Sequence, residues 1–178
     1  MLKQLFRFNK NKNKYHHQAK AIYDQILNRI SQDELYDKFK LERSLEAGIQ
    51  QVFLHLSLIM ILLKYDEQDP ELSQAIFDYC FKGIEGSYLE NGASDYSIGH
   101  KMKKALKFFY GGLSCYEQAI VKGDITALKG ALRKNIYVKQ HVDEKTLSCL
   151  ALEVGHMISQ LKKVDWSKQE QSYFGKTF

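Results

Sequence analysis

The sequence predicts an all-α, single-domain bundle of about six or seven helices around one very apolar central helix. Three observations carry this. The 178 residues include a single proline, Pro70, and proline is the residue that most often breaks helices. Apolar residues recur every three or four positions through most of the chain, the spacing of one helix face. No segment shows the apolar–polar alternation of a strand. Hydrophobic residues make up 44% and charged residues 26%, which is globular rather than disordered composition.

The elements follow in order. Residues 1–15 form a basic flexible tail, with Lys3, Arg7, Lys10, Lys12 and Lys14 and no acid. The whole chain carries +5 and its first fourteen residues also carry +5, so the rest is neutral. That weakens a nucleic-acid role, which favours a basic folded domain, and no DNA partner is expected. The tail mixes Leu2, Leu5, Phe6 and Phe8 with its cations. Three readings stay open: an organelle-targeting segment, a tether to an anionic membrane surface, or plain disorder. Lys3, Phe6, Arg7, Lys10, Lys12 and Lys14 are the candidate membrane or ribosome tether. No apolar stretch there has the length of a secretory signal.

The helical domain spans residues 16–165. Ile22, Ile26, Leu27 and Ile30 share a face of a first helix over 16–31. Asp33 is the expected cap of a short helix near 33–40, with Leu35, Tyr36 and Phe39 apolar. A long helix over 43–65 contains VFLHLSLIMILL at 52–63. That run is shorter than the ~20 residues a membrane span needs, so it reads as the central buried helix. Asp69-Pro70 opens the next helix, proline suiting a first turn, and Asn91-Gly92 ends it. Within it, Gly83 and Gly86 would permit close helix approach. A helix over 97–122 follows. Asp124 caps a short helix ending near Asn135, and Asp143 caps a last one with Leu147, Leu150, Val154, Ile158 and Leu161 on one face. Residues 166–178 read as a loosely ordered tail.

The 97–122 helix has two predicted faces. Met102, Leu106, Phe109, Leu113, Tyr116 and Ile120 form its core stripe, and His100, Lys103, Lys104, Lys107 and Gly111 form the other. Lys101 sits between them. Like charges three and four apart repel by a few tenths of a kcal/mol. The basic face is therefore either ordinary solvated surface or the match of a counter-charge: an acidic neighbour in the fold, an anionic membrane, RNA phosphate or an acidic partner.

The chemistry-bearing residues do not form a recognised constellation. HExxH, P-loop, GxGxxG and GxSxG patterns are absent from the sequence. His16-His17 has no spaced carboxylates. His55 reads as a satisfied core histidine. Glu153 and His156 have the ExxH spacing of di-iron bundles, but that site needs a second such pair and two more glutamates. Cys80, Cys115 and Cys149 are odd in number and far apart, which suits buried reduced thiols rather than disulfides or zinc. The expectation is a non-enzyme without cofactor or metal.

The stretch LSQAIFDYCFKGIEGSYLENGASDYSIGHKMKKALKFFYGGLSCYEQAI at 72–120 resembles the ubiquinol–cytochrome c chaperone family without a gap. Leu72, Ser73, Gln74, Phe77 and Asp78 fall on its pattern, as do Asp95, Gly99, Lys103, Lys104 and the Phe109-Tyr110-Gly111 triplet. Weaker similarity extends the match to roughly 20–162, including AIYDQILNRISQDELYDKF at 21–39 and ALRKNIY at 131–137. The chain departs at Glu46-Ala47-Gly48-Ile49, Gly83-Ile84-Glu85, His100-Lys101 and Gly112. The resemblance implies a non-catalytic assembly factor for respiratory complex III that binds newly made cytochrome b or its assembly intermediate. It also implies a small partner subunit and ribosome contact. Peripheral membrane association is expected through the N-terminal tail, and the resemblance implies work at the inner membrane. That is the cytoplasmic side in a bacterium or the matrix side in a mitochondrion, with bacterial origin favoured. The basic face of the 97–122 helix, lying where the resemblance is densest, makes Asp95, His100, Lys103, Lys104, Lys107 and Tyr110 the candidate partner-binding residues. The alternative is a membrane- or ribosome-associated helical module with another client.

Overall fold

The computed structural model describes residues 2–65, 70–138, 140–168 and 171–174, with side chains from Tyr15 onward except Tyr65. Among these residues there are seven helices and no strand: α1 (Leu2–Ile30), α2 (Asp33–Phe39), α3 (Leu45–Tyr65), α4 (Pro70–Glu90), α5 (Asp95–Lys122), α6 (Ile125–Asn135) and α7 (Glu144–Leu161). The all-α expectation holds.

Most helix ends are where sequence chemistry puts them. Pro70 is the first residue of α4; Asp69 lies outside the described residues. Gly92 takes φ +83° just after α4, a conformation open to glycine at little cost. Asp124 accepts from the Ala127 N–H at 2.9 Å and Asp143 from the Thr146 N–H at 2.9 Å, each satisfying a first-turn donor. α2 differs. Its cap is Gln32, without a side-chain bond, and Asp33 is the first helical residue, where its charge suits the helix dipole.

α3 is the centre of the bundle, packing on α1, α4, α5 and α7. Its 20-residue stretch Leu45–Lys64 is long and apolar enough to cross a membrane by length and composition. Here neighbouring helices cover it: Leu56, Leu58 and Ile59 are fully buried. Burying each such side chain contributes about 1.5–3 kcal/mol, which explains why the helix can be apolar on every side.

α1 meets α4 at a tight crossing. A Cβ at Gly83 would lie 2.2 Å from the Tyr23 hydroxyl and 2.4 Å from its ring. Gly86 has nothing within 4 Å of such a Cβ, so only Gly83 makes the approach possible. Tyr23 is buried, and burial pushes its hydroxyl pKa up to about 12. Gly83→Ala should therefore lower stability by about 1–3 kcal/mol, the usual cost of overpacking. Chemical denaturation checks this, with Gly86→Ala as the control that costs little or nothing.

Three expectations change. α1 starts at Leu2 rather than near residue 16, so the backbone of the stretch read as a flexible tail is helical. Residues 2–14 contain no glycine or proline, and Leu, Lys, Arg and Gln favour helix. The side chains of Lys3, Phe6, Arg7, Lys10, Lys12 and Lys14 lie outside the described residues. Of the segment 166–178 read as a loose C-terminal tail, the described residues 166–168 and 171–174 are instead packed: Trp166, Tyr173 and Phe174 are buried. Glutamines of α1 hold its backbone. Gln18 donates to the Trp166 carbonyl at 3.0 Å. Gln25 donates to the Gln171 carbonyl at 2.8 Å and accepts from the Tyr173 N–H at 2.9 Å. Finally, Cys80 is buried, but Cys115 and Cys149 are only half-buried; all three are free thiols.

Candidate partner-docking groove

A groove of about 760 Å³ opens between α3 and α5. One wall comes from the chain just before α3 and its first turns: Glu42, Ser44, Glu46 and Gln50. The other is the first half of α5, with Tyr96, Ser97, His100, Lys101 and Lys104. Tyr88 from the end of α4 and Val138 from the segment after α6 complete it.

Local chemistry positions the α5 wall. Ser94 caps the helix: its hydroxyl accepts from the Ser97 N–H at 3.3 Å, and its own N–H donates to the Ser97 hydroxyl at 3.0 Å. This reciprocal box fixes where α5 begins. Tyr96, one residue into the helix, stands at the groove mouth 98% exposed. A large aromatic ring held so fully in water is a recognised type of contact residue at protein interfaces.

The floor is apolar. Ala47, Ile49, Phe53 and Ala105 line it and are buried. Phe53 belongs to an aromatic cluster, with ring centroids 5.7 Å from Phe81, 6.2 Å from Phe108 and 5.4 Å from Phe109. Above this floor the rim carries both signs of charge. Glu42 and Glu46 face the groove from the α3 side, and His100, Lys101 and Lys104 from the α5 side. Lys101 lies over the Tyr88 ring, 5.1 Å from its centroid. Among the described residues none of these five charged or titratable groups forms an ion pair. Arg43, next to Glu42, is committed elsewhere, to Asp33 and to Asp37 at 3.2 Å, and over the Tyr36 ring.

The six predicted partner residues divide. His100 and Lys104 line the groove. Lys103 and Lys107 are exposed but do not line it. Tyr110 turns toward α4, its ring 6.1 Å from Phe77. Asp95 is the exposed first residue of α5, where its charge suits the helix dipole. The predicted core stripe of α5 is also rotated. Phe109 and Tyr116 are buried, but Leu106 is 37% exposed, and Ala105, Gly112 and Ala119 complete the buried face. Sequence reasoning did not select Glu42, Glu46, Tyr88, Tyr96 or Val138 as site residues.

The remaining chemistry-bearing residues have structural duties. Glu153 pairs with the buried Arg29, and Lys38 lies 4.0 Å from its other oxygen. His156, its ExxH partner, is exposed. The His16 ring packs edge-on against Tyr79 at 5.2 Å. His55 is buried and donates from Nδ1 to the Gln51 carbonyl at 2.7 Å. Among the described residues no group of three or more His, Cys, Asp or Glu gathers to hold a metal.

A model of the ubiquinol–cytochrome C chaperone family matches residues 37–173. The chain belongs to this family. It is 23% identical over 148 residues to the ubiquinol-cytochrome-c reductase complex assembly factor 1 of Xenopus laevis, covering 83% of this chain and 74% of that protein. It is also similar to the crystal structure of the Cbp3 homolog from Brucella abortus. The TM-score is 0.74 at 26% identity, over 93% of this chain and 90% of that one. The resemblance carried by residues 72–120 therefore holds. The family match runs past its expected end to Tyr173, taking in most of the packed C-terminal segment. The chain is a member of a complex III assembly-factor family.

Proposed function

We propose that this chain is a non-catalytic assembly chaperone that holds newly made cytochrome b, or an early intermediate containing it, at the inner membrane. Its place is the cytoplasmic face in a bacterium or the matrix face in a mitochondrion. The α3–α5 groove receives the client. One observation carries this reading: an apolar, aromatic-floored cleft whose rim charges are left unpaired, in a chain of this family. Unpaired charges around an apolar floor suit a protein partner better than a small-molecule reaction centre.

Inverting the basic wall tests it. Lys101→Glu with Lys104→Glu should leave the fold intact, because Lys104 is exposed and Lys101 half-buried. The pair should reduce complex III accumulation in cells by about tenfold or more, as opposed charges at an interface cost several kcal/mol. Normal levels of spectrally detectable cytochrome b in cells lacking the protein would overturn the proposed function itself.

Lys103 and Lys107 support a second, compatible reading. They are exposed, lie outside the groove and form no ion pair among the described residues. Together with the basic N-terminal sequence they suit ribosomal RNA or anionic lipid. Co-sedimentation with ribosomes and with anionic liposomes at low salt separates the two, and binding to neither removes this reading.

A further inference from the structure

We propose that the groove's occupant is an amphipathic helix lying outside the bilayer, acidic along one edge and basic along the other. This rests on reading the groove as the client site and specifies what it recognises.

The rim chemistry excludes the simpler occupants. Nucleic acid or an anionic headgroup layer would satisfy His100, Lys101 and Lys104, but would meet Glu42 and Glu46 in the same opening. Leaving like charges in contact is costly. A transmembrane segment would bring only apolar groups to a rim with both signs of charge, stranding them without water or partners. A segment with carboxylates toward α5 and ammonium or guanidinium groups toward α3 pairs both walls.

The walls also select the backbone form of the occupant. An extended peptide would need donors and acceptors along its length. The groove is walled mainly by α3 and α5, whose interior backbone groups are already paired within each helix. Of the non-helical residues beside them, Ile136 and Gln140 already donate their N–H groups to the Leu132 and Tyr137 carbonyls. The first turn of α5 is closed by the Ser94–Ser97 box. A helix brings its own backbone bonds and needs only side-chain contact. The groove volume of about 760 Å³ accommodates one apolar face of such a helix on Phe53 and Phe108. Tyr96, 98% exposed, and Val138, 46% exposed, flank the mouth, where they are free to contact the sides of such a helix.

The test uses the full chain and three synthetic amphipathic helical peptides with the same apolar face. One has a glutamate edge and a lysine edge, one has two glutamate edges, and one has two lysine edges. Fluorescence anisotropy should show the mixed-edge peptide binding at least about tenfold tighter than either of the others. In the Glu42→Lys, Glu46→Lys double variant, both positions being exposed, preference should move to the two-glutamate peptide. Equal binding of all three peptides, binding of none, or an unchanged preference in the double variant would overturn the proposal. Photo-crosslinking from position 96 in cells judges the client reading separately. Capture of cytochrome b with no peptide preference keeps the client and refutes the edge rule. Peptide preference without capture keeps the rule and refutes the client.

Discussion

Replacing Glu153 with alanine is expected to destabilise the fold by about 3–5 kcal/mol, the usual result of breaking one half of a buried ion pair. The Arg29 side chain is 4% exposed and pairs with Glu153, itself 16% exposed. Burial already lowers the Arg29 pKa, and Glu153 opposes that shift. Without the carboxylate, a guanidinium that stays charged at any physiological pH keeps its desolvation cost and loses its strongest compensation. The loss appears as a lower denaturant midpoint with an unchanged slope. Arg29→Met with Glu153→Leu should recover most of it, since an apolar pair of similar volume removes both charges at once. If Glu153→Ala costs under about 1 kcal/mol, Arg29 is solvated and the pair is not a structural lock.

The second large effect is a loss of stability in mild acid that depends on His55. This ring is buried inside α3, with the Phe174 ring 5.2 Å away edge-on. Burial pushes its pKa down to about 4; the Gln51 carbonyl opposes the shift and the nearby Arg29 charge adds to it. In the unfolded chain the ring titrates near 6.5. Between those values the unfolded state binds more protons than the folded state, so stability falls as pH drops. At about 1.4 kcal/mol per unit, the total is about 3 kcal/mol by pH 4. His55→Leu should flatten urea midpoints measured between pH 7 and pH 4.5. Asp143, whose pKa is held well below the carboxylate range chiefly by Lys40, contributes only at the acid end of that interval and below it. A wild-type midpoint constant across the interval would refute the assignment to His55.

Much of this architecture is legible in the sequence because helix signals are local. Pro70, Gly92, Asp124 and Asp143 act on their own turns, so their positions mark the boundaries of α4, α6 and α7 without tertiary information. The α5 face was harder to read. Ala105, Gly112 and Ala119 recur every seven residues, and small residues let a helix sit close to its neighbours. A Cβ at Gly112 would lie 3.6 Å from the Asn135 side chain. Reading large apolar residues as the buried ones therefore rotates the helix and places Leu106 inside. The C-terminal segment gave no periodic signal, because Trp166, Tyr173 and Phe174 are spaced irregularly: Trp166 and Tyr173 stack on each other, and Phe174 meets His55 of α3. The groove was least legible. Its walls join residues near 42–53, 88, 96–108 and 136–140, and nothing local to Glu42 indicates that it shares an opening with Lys104.

The glutamine clasp between α1 and the chain end also sets an order of events during synthesis. Gln18 and Gln25 reach their carbonyl and N–H partners across 146–150 sequence positions. Every other helix is translated before those partners exist. Contacts this distant in sequence are slow to form and leave apolar surface waiting. Among the described helices α1 is thus made first and clasped last, once translation has passed Tyr173. A truncation that removes residues 166–174 should therefore loosen α1 while leaving the α3–α5 packing in place.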